Sequence, residues 1–278
     1  MNVIWWNASR GNWDHGLLQG IFDKHPETFI QFNTGLQSGS MERCIVVVTG
    51  KPQNESSLND FLLSVNDPLV ILTSDEDSGF NWKRAIPRTA EIWTQYYWPN
   101  KSEIKERLLL GVPNRFKDYK VNSHLPKKYL WSFVGQVQNP YRQECVKWLK
   151  TMPDGFLHIA DSFGGIKNGI EYQEYLDIMC QSKFVICPSG SMSADCFRVY
   201  EAMECGAIPI VNTRCPRDKA DFYYWNEVYP ANQLSFVEHW NDVQFLNSNP
   251  VEPGNQNAWW LDYKIQLENK LLSYANTI

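Results

Sequence analysis

Apolar residues in this chain collect in short unbroken runs, and the stretches between them alternate between helical periodicity and turn chemistry. Residues 44–49 (CIVVVT), 68–73 (PLVILT), 129–134 (YLWSFV), 156–160 (FLHIA), 183–187 (KFVIC) and 207–211 (AIPIV) are such runs. Continuous runs of this kind are the mark of strands covered on both faces by helices. Residues 1–6 predict a further strand at the start. Residues 13–22 predict an amphipathic helix with Leu17, Leu18 and Ile21 inward, and helices are also predicted over 101–110, 142–149, 172–180 and 258–274. Strand and helix alternate in both halves, which predicts an α/β chain of two parallel-sheet, Rossmann-like domains facing across a cleft. A basic connector over residues 115–128 separates them, giving a first domain over residues 1–125 and a second over 126–255. The helix over residues 256–278 is expected to pack back onto the first domain.

Residues 182–211 (SKFVICPSGSMSADCFRVYEAMECGAIPIV) concentrate the chemistry and read as strand, loop, helix, strand. Pro188 closes the strand, and Ser189, Gly190, Ser191 and Ser193 make a loop whose one bulky side chain is Met192. Ser191 or Ser193 is expected to cap a helix that runs to about residue 205, with Gly206 just past its end. A strand that feeds a small-residue loop and a helix N-terminus gathers unpaired amides at the positive end of the helix dipole, a setting suited to phosphate. Arg198 and Glu201 share one face of this otherwise apolar helix. They read either as a self-satisfied ion pair or as ligand groups, a forked cation for a diphosphate and an acceptor for ribose hydroxyls. In the preceding unit, Gly135 ends a strand where a ligand can approach the backbone closely. Arg142, in the first turn of the next helix, either reaches a phosphate or is an ordinary surface charge.

Composition narrows the function. The net charge of −5 and pI of about 5.6 argue against a nucleic-acid binder, which would present a basic domain. With 43% hydrophobic and 14% aromatic residues, 12 of them Trp, the chain is globular and rich in rings that stack on sugars or fill a core. Its 7 cysteines form no C-x-x-C pair and no metal-ligand spacing, so reduced thiols and a cytoplasmic location are the default expectation. No apolar run is long enough to span a bilayer, which leaves peripheral association open.

The segments SKFVICPSG, S-A-D-C-F-R-V-Y-E-A and C-G-A-I-P-I-V resemble the signature of the exostosin-type glycosyltransferases. Within that superfamily the chain is most similar to the ribitol-phosphate xylosyltransferase branch, in which a Trp-Ser-Phe-x-Gly segment and an Arg precede the same block, as Trp131 to Gly135 and Arg142 do here. The resemblance covers roughly residues 129–212 and extends only loosely to the first half. It implies a GT-B arrangement, with a donor site built from Gly135, Arg142, Ser189, Gly190, Ser191, Ser193, Arg198 and Glu201. It also implies a nucleotide-sugar donor, such as UDP-xylose, a glycan or polyol-phosphate acceptor, and no metal or other cofactor.

The base that would deprotonate the acceptor is expected in the first domain. Asp75 and Glu76 follow the strand over 68–73 directly, where loop carboxylates serve catalysis or merely cap turns. Asp75, Glu76 and Asp77 form a D-x-D that reads as a base-bearing loop more than as a metal clamp. His15, near the start of the first helix, is the competing base or a structural histidine. A retaining enzyme of this class often carries a second Glu eight positions before the ribose Glu; Ser193 stands there, which points to inversion. The alternatives are a GDP-sugar, fucosyl-type transferase and a non-catalytic module that binds sugar nucleotides or glycans.

Overall fold

The structure is a computed structural model, and it describes residues 1–6, 15–33, 43–49, 54–73, 82–95, 103–161, 169–190, 193–212, 224–225, 235–247 and 254–277. The chain divides into two compact units, Met1–Phe116 with Gln266–Ile278, and Lys117–Ile265.

The first unit holds six strands, β1 (Asn2–Trp6), β2 (Ile30–Asn33), β3 (Cys44–Val48), β4 (Leu69–Leu72), β5 (Glu91–Thr94) and β6 (Ile104–Arg107). They form one sheet in the order β2-β1-β3-β4-β5-β6, every pair parallel. Helices α1 (Gly16–Lys24), α2 (Glu55–Leu63) and α3 (Trp82–Ala85) belong to this unit. All residues of β3 and β4 are buried, which is why they read as continuous apolar runs in the sequence. Leu17, Leu18 and Ile21 of α1 are buried as its periodicity predicts, together with Phe22.

One predicted helix is a strand. Residues 101–110 have helical composition, yet Ile104–Arg107 pairs with β5 at the sheet edge, with a register shift between Ile92 and Trp93. An edge strand has one neighbour and a solvated side, so Lys105, Glu106 and Arg107 are tolerated there without burying charge. The edge strand β2 and the strand β5 also went unpredicted, both being short and partly polar.

The second unit has five strands, β7 (Tyr129–Gly135), β8 (Gly155–Ile159), β9 (Ser182–Cys187), β10 (Ile208–Asn212) and β11 (Ser235–Val237), in the parallel order β11-β10-β9-β7-β8. Helices α4 (Pro140–Leu149), α5 (Tyr172–Cys180) and α6 (Phe197–Glu204) connect them. Trp131 of the Trp-Ser-Phe-Val-Gly segment is explained by packing. Its indole lies so close over Gly155 that a Cβ there would fall 1.9 Å from the ring, and its Nε1 donates to Pro153 O at 2.9 Å.

The long helix α7 (Gly254–Asn276) contributes to both units. In the second, Trp260 Nε1 and Lys264 Nζ donate to Glu204 at 2.7 and 2.5 Å. In the first, Glu268 pairs with Lys24 at 3.0 Å and with His25 at 2.6 Å, and Lys270 pairs with Glu106 at 2.8 Å. No helix among the described residues is long and apolar enough to cross a membrane.

Candidate functional site

The carboxyl edge of the second sheet brings β7, β9 and the starts of α4 and α6 together. Asn139 caps α4, its side chain accepting from Arg142 N–H at 2.9 Å, and Pro140 occupies the first turn, so a defined helix start follows the β7 loop. The same Asn139 donates through Nδ2 to Gly190 O at 3.3 Å. Arg142 donates from Nε to Ser189 O at 2.9 Å and from Nη1 to Gln136 O at 3.3 Å. Arg142 therefore clamps the loop after β7 to the loop after β9. It is neither a free phosphate arm nor a plain surface charge.

Arg198, in the first turn of α6, reaches back under the end of β7. Its Nη2 donates to Val134 O at 2.9 Å and its guanidinium lies 4.9 Å over the Phe133 ring. A Cβ at Gly135 would come within 2.4 Å of Nη2, so glycine is what lets the guanidinium dock there. Nε and Nη1 of Arg198 are buried and have no hydrogen-bond partner among the described residues. The buried Ser189 hydroxyl is in the same state. Orphaned buried donors of this kind cost roughly 1–3 kcal/mol each and call for an explanation.

Two guanidinium groups on one sheet edge repel each other. Burial first, then the charge of Arg198, pulls the pKa of Arg142 down to about 10. Burial alone would lower Arg198 as well; Tyr175, Cys196, Cys187 and Glu201 around it reverse the sign and hold it above the ordinary value. The thiols of Cys187 and Cys196 are themselves pushed up by burial and are neutral at pH 7.

Glu201, one turn further along α6, is 4% exposed. Its Oε1 accepts from Tyr172 OH and its Oε2 from Tyr175 OH at 2.6 Å. The sequence reading missed both tyrosines. Their signal was the one-turn spacing on α5 of two phenols that need partners when buried.

The loop between β9 and α6 departs from expectation. Helix α6 starts at Phe197 with Cys196 at its N-cap and no side-chain cap. Ser193 is buried and its Oγ accepts from Asp195 N–H at 3.2 Å, so it stabilises the turn before the helix instead of capping it. A Cβ at Gly190 would lie 3.2 Å from Ser193 O and from Asp195 O, which keeps that turn tight. Asp195, 3% exposed, accepts from Tyr200 OH at 2.9 Å and Tyr224 OH at 2.8 Å. Tyr224 and Trp225 are buried, at 3% and 0% exposure. Ser191 lies outside the described residues.

In the first unit, Asp75 and Glu76 lie outside the described residues. His15 stands at the N-cap position of α1, its ring centroid 4.9 Å from that of Trp5. Asn114 Oδ1 accepts from His15 N–H at 3.2 Å, which turns its Nδ2 toward His15 Nε2 at 2.5 Å. In that orientation Nε2 accepts and the ring proton of the neutral imidazole sits on Nδ1. The described residues contain no group of three or more His, Cys, Asp or Glu placed to hold a metal.

Residues 113–250 match the family described as RXYLT1 C-terminal domain. Human ribitol-5-phosphate xylosyltransferase 1 is 30% identical over 94 residues, 32% of this chain. The chain spans 20% of the length of that curated relative. Among solved structures, TarM aligns over 84% of this chain and 55% of its own at a TM-score of 0.45 and 10% identity. HepE (Alr3699) of Anabaena, solved with UDP and glucose, aligns over 98% of this chain and 100% of its own at a TM-score of 0.47 and 10% identity.

Proposed function

We propose, from the match of residues 113–250 to the family described as RXYLT1 C-terminal domain, that the protein is a glycosyltransferase of the ribitol-phosphate xylosyltransferase branch of the exostosin-type enzymes. It moves a sugar from a UDP-sugar, with UDP-xylose the first choice, to a hydroxyl of a glycan or polyol-phosphate acceptor. The observation that carries this reading is Arg198, whose two buried, unpartnered nitrogens face no acceptor among the described residues. Diphosphate oxygens match them in charge and in geometry. As the glycosidic bond breaks, charge grows on the departing diphosphate, and the guanidinium of Arg198, fixed beforehand, stabilises it without a metal. Asp75, Glu76 or His15 supplies the base, and direct displacement inverts the anomeric centre.

Calorimetry with UDP and GDP, followed by a donor-hydrolysis screen, tests the proposal. UDP is expected to bind at least about tenfold tighter than GDP, and UDP-xylose to be turned over. A preference for GDP redirects the reading to a fucosyl-type transferase. UDP binding with no turnover of any donor sugar marks a non-catalytic binding module.

A further inference from the structure

Resting on the donor-site reading above, we propose that Asp195 is a positioning residue of the donor site: its buried carboxylate holds the loop after β9 and the first turn of α6, where Arg198 stands. That turn has no side-chain cap at Cys196, and an uncapped helix start depends on its surroundings to keep its place. Asp195 is the residue immediately before Cys196, and it is tied down from three directions. Its Oδ2 accepts from Tyr200 OH at 2.9 Å, a bond that runs back from α6 to the chain entering it. The same oxygen accepts from Tyr224 OH at 2.8 Å, from a residue beyond β10. Its backbone N–H donates to Ser193 Oγ at 3.2 Å.

The anchors are themselves packed in place. Tyr200 is fully buried with its ring 4.9 Å from that of Trp260 on α7, and Tyr224 lies edge-on to the buried Trp225 at 4.9 Å. Trp260 is held in turn, donating through Nε1 to Glu204 at the far end of α6. The start of the loop is fastened separately, since Arg142 holds Ser189 O and Asn139 holds Gly190 O. The two fastenings meet at Gly190, where a Cβ would stand 3.2 Å from the carbonyl oxygens of both Ser193 and Asp195. Beside them stand the buried groups that lack a hydrogen-bond partner among the described residues, the Ser189 hydroxyl and, three positions past Asp195, Nε and Nη1 of Arg198. Donors set out in advance for a ligand serve it only while they keep their places, and a shift of about 1 Å forfeits much of the gain. A carboxylate only accepts, so it suits two phenols that need a partner when buried.

Asp195→Asn, Asp195→Leu and Tyr224→Phe, measured by calorimetry with UDP and by urea unfolding, test this chain of contacts. Asn keeps a side-chain oxygen for the phenols, so Asp195→Asn is expected to bind UDP within about threefold of wild type. Leu has the same branching and accepts nothing. Asp195→Leu leaves both phenols unpaired and should weaken UDP binding by about tenfold in the protein that is folded. Tyr224→Phe removes one of the two bonds and should weaken UDP by about threefold; it decides the matter if Asp195→Leu does not fold, and wild-type affinity in it then overturns the inference. An Asp195→Leu protein that loses stability yet binds UDP as wild type overturns the inference and leaves the donor site standing. An Asp195→Asn protein as impaired as Asp195→Leu does the same. A wild-type protein that binds no UDP overturns the donor site, and this inference with it.

Discussion

The two units share one design, a parallel sheet wrapped by helices, yet they handle charge in opposite ways. In the first, the described residues that directly follow β3, β4 and β5 are the neutral Thr49, Thr73 and Gln95. Thr49 and Thr73 are buried and each donates to a neighbouring strand, to Trp6 O and Val48 O at 3.3 Å, while buried Gln95 donates to Leu110 O at 3.2 Å. Among its described residues, the ion pairs Lys24–Glu268, His25–Glu268 and Lys270–Glu106 join partly exposed side chains. In the second unit, Glu201 and Asp195 are buried with the guanidinium of Arg198 and the half-buried Arg142 around the same sheet edge. Burying charge is costly, and a fold keeps it only where partners or a ligand compensate. The contrast teaches that fold alone does not make a binding edge; here the edge is made by where the charge was placed.

The sharpest way to break the contrast is Arg198→Ala. It removes the group with orphaned donors and is expected to weaken UDP binding by roughly a hundredfold, as loss of a buried charge-assisted contact does. An affinity unchanged in calorimetry would mean that the buried charge in the second unit is structural, as in any ion pair. Gly135→Ala is the intermediate case. The new Cβ meets the far end of the Arg198 side chain at 2.4 Å, and that end can swing away. UDP affinity should fall roughly tenfold while unfolding free energy drops by no more than about 1–2 kcal/mol. A large stability loss with unchanged affinity would separate the glycine from the arginine.

The smallest effect belongs to the first unit. Hydrogen bonds from His25 and then Lys24 hold the Glu268 carboxyl below its ordinary value. A lowered carboxyl pKa contributes stability above the unfolded value and loses it as pH falls through the folded one. Glu268→Gln should therefore cost less than about 1 kcal/mol at pH 7, and the difference from wild type should vanish as the pH drops below the ordinary carboxylate range. Urea unfolding at pH 7 and pH 3 measures it. A gap that persists in acid would show that the glutamate acts through packing and not through charge.

Much of this molecule was legible in its sequence. Buried parallel strands announce themselves as apolar runs because both faces must be covered, so residues 44–48, 69–72, 129–135, 182–187 and 208–212 were located within a residue or two. Arg198 stood out because an apolar helix face has no reason to carry a cation unless something answers it. Edge strands were the weak point. Ile104–Arg107 is partly exposed, and its composition could not be told from that of a surface helix.

The partners of the charges were decided only in three dimensions. Nothing local to Glu201 announces Tyr172 and Tyr175, which lie 29 and 26 positions away. Nothing local to His15 announces Asn114, which lies 99 positions away and sets its tautomer. Residue type states what a side chain is able to donate or accept. Which atom it meets depends on strand order and helix register, and these emerge only when the whole sheet closes around its core.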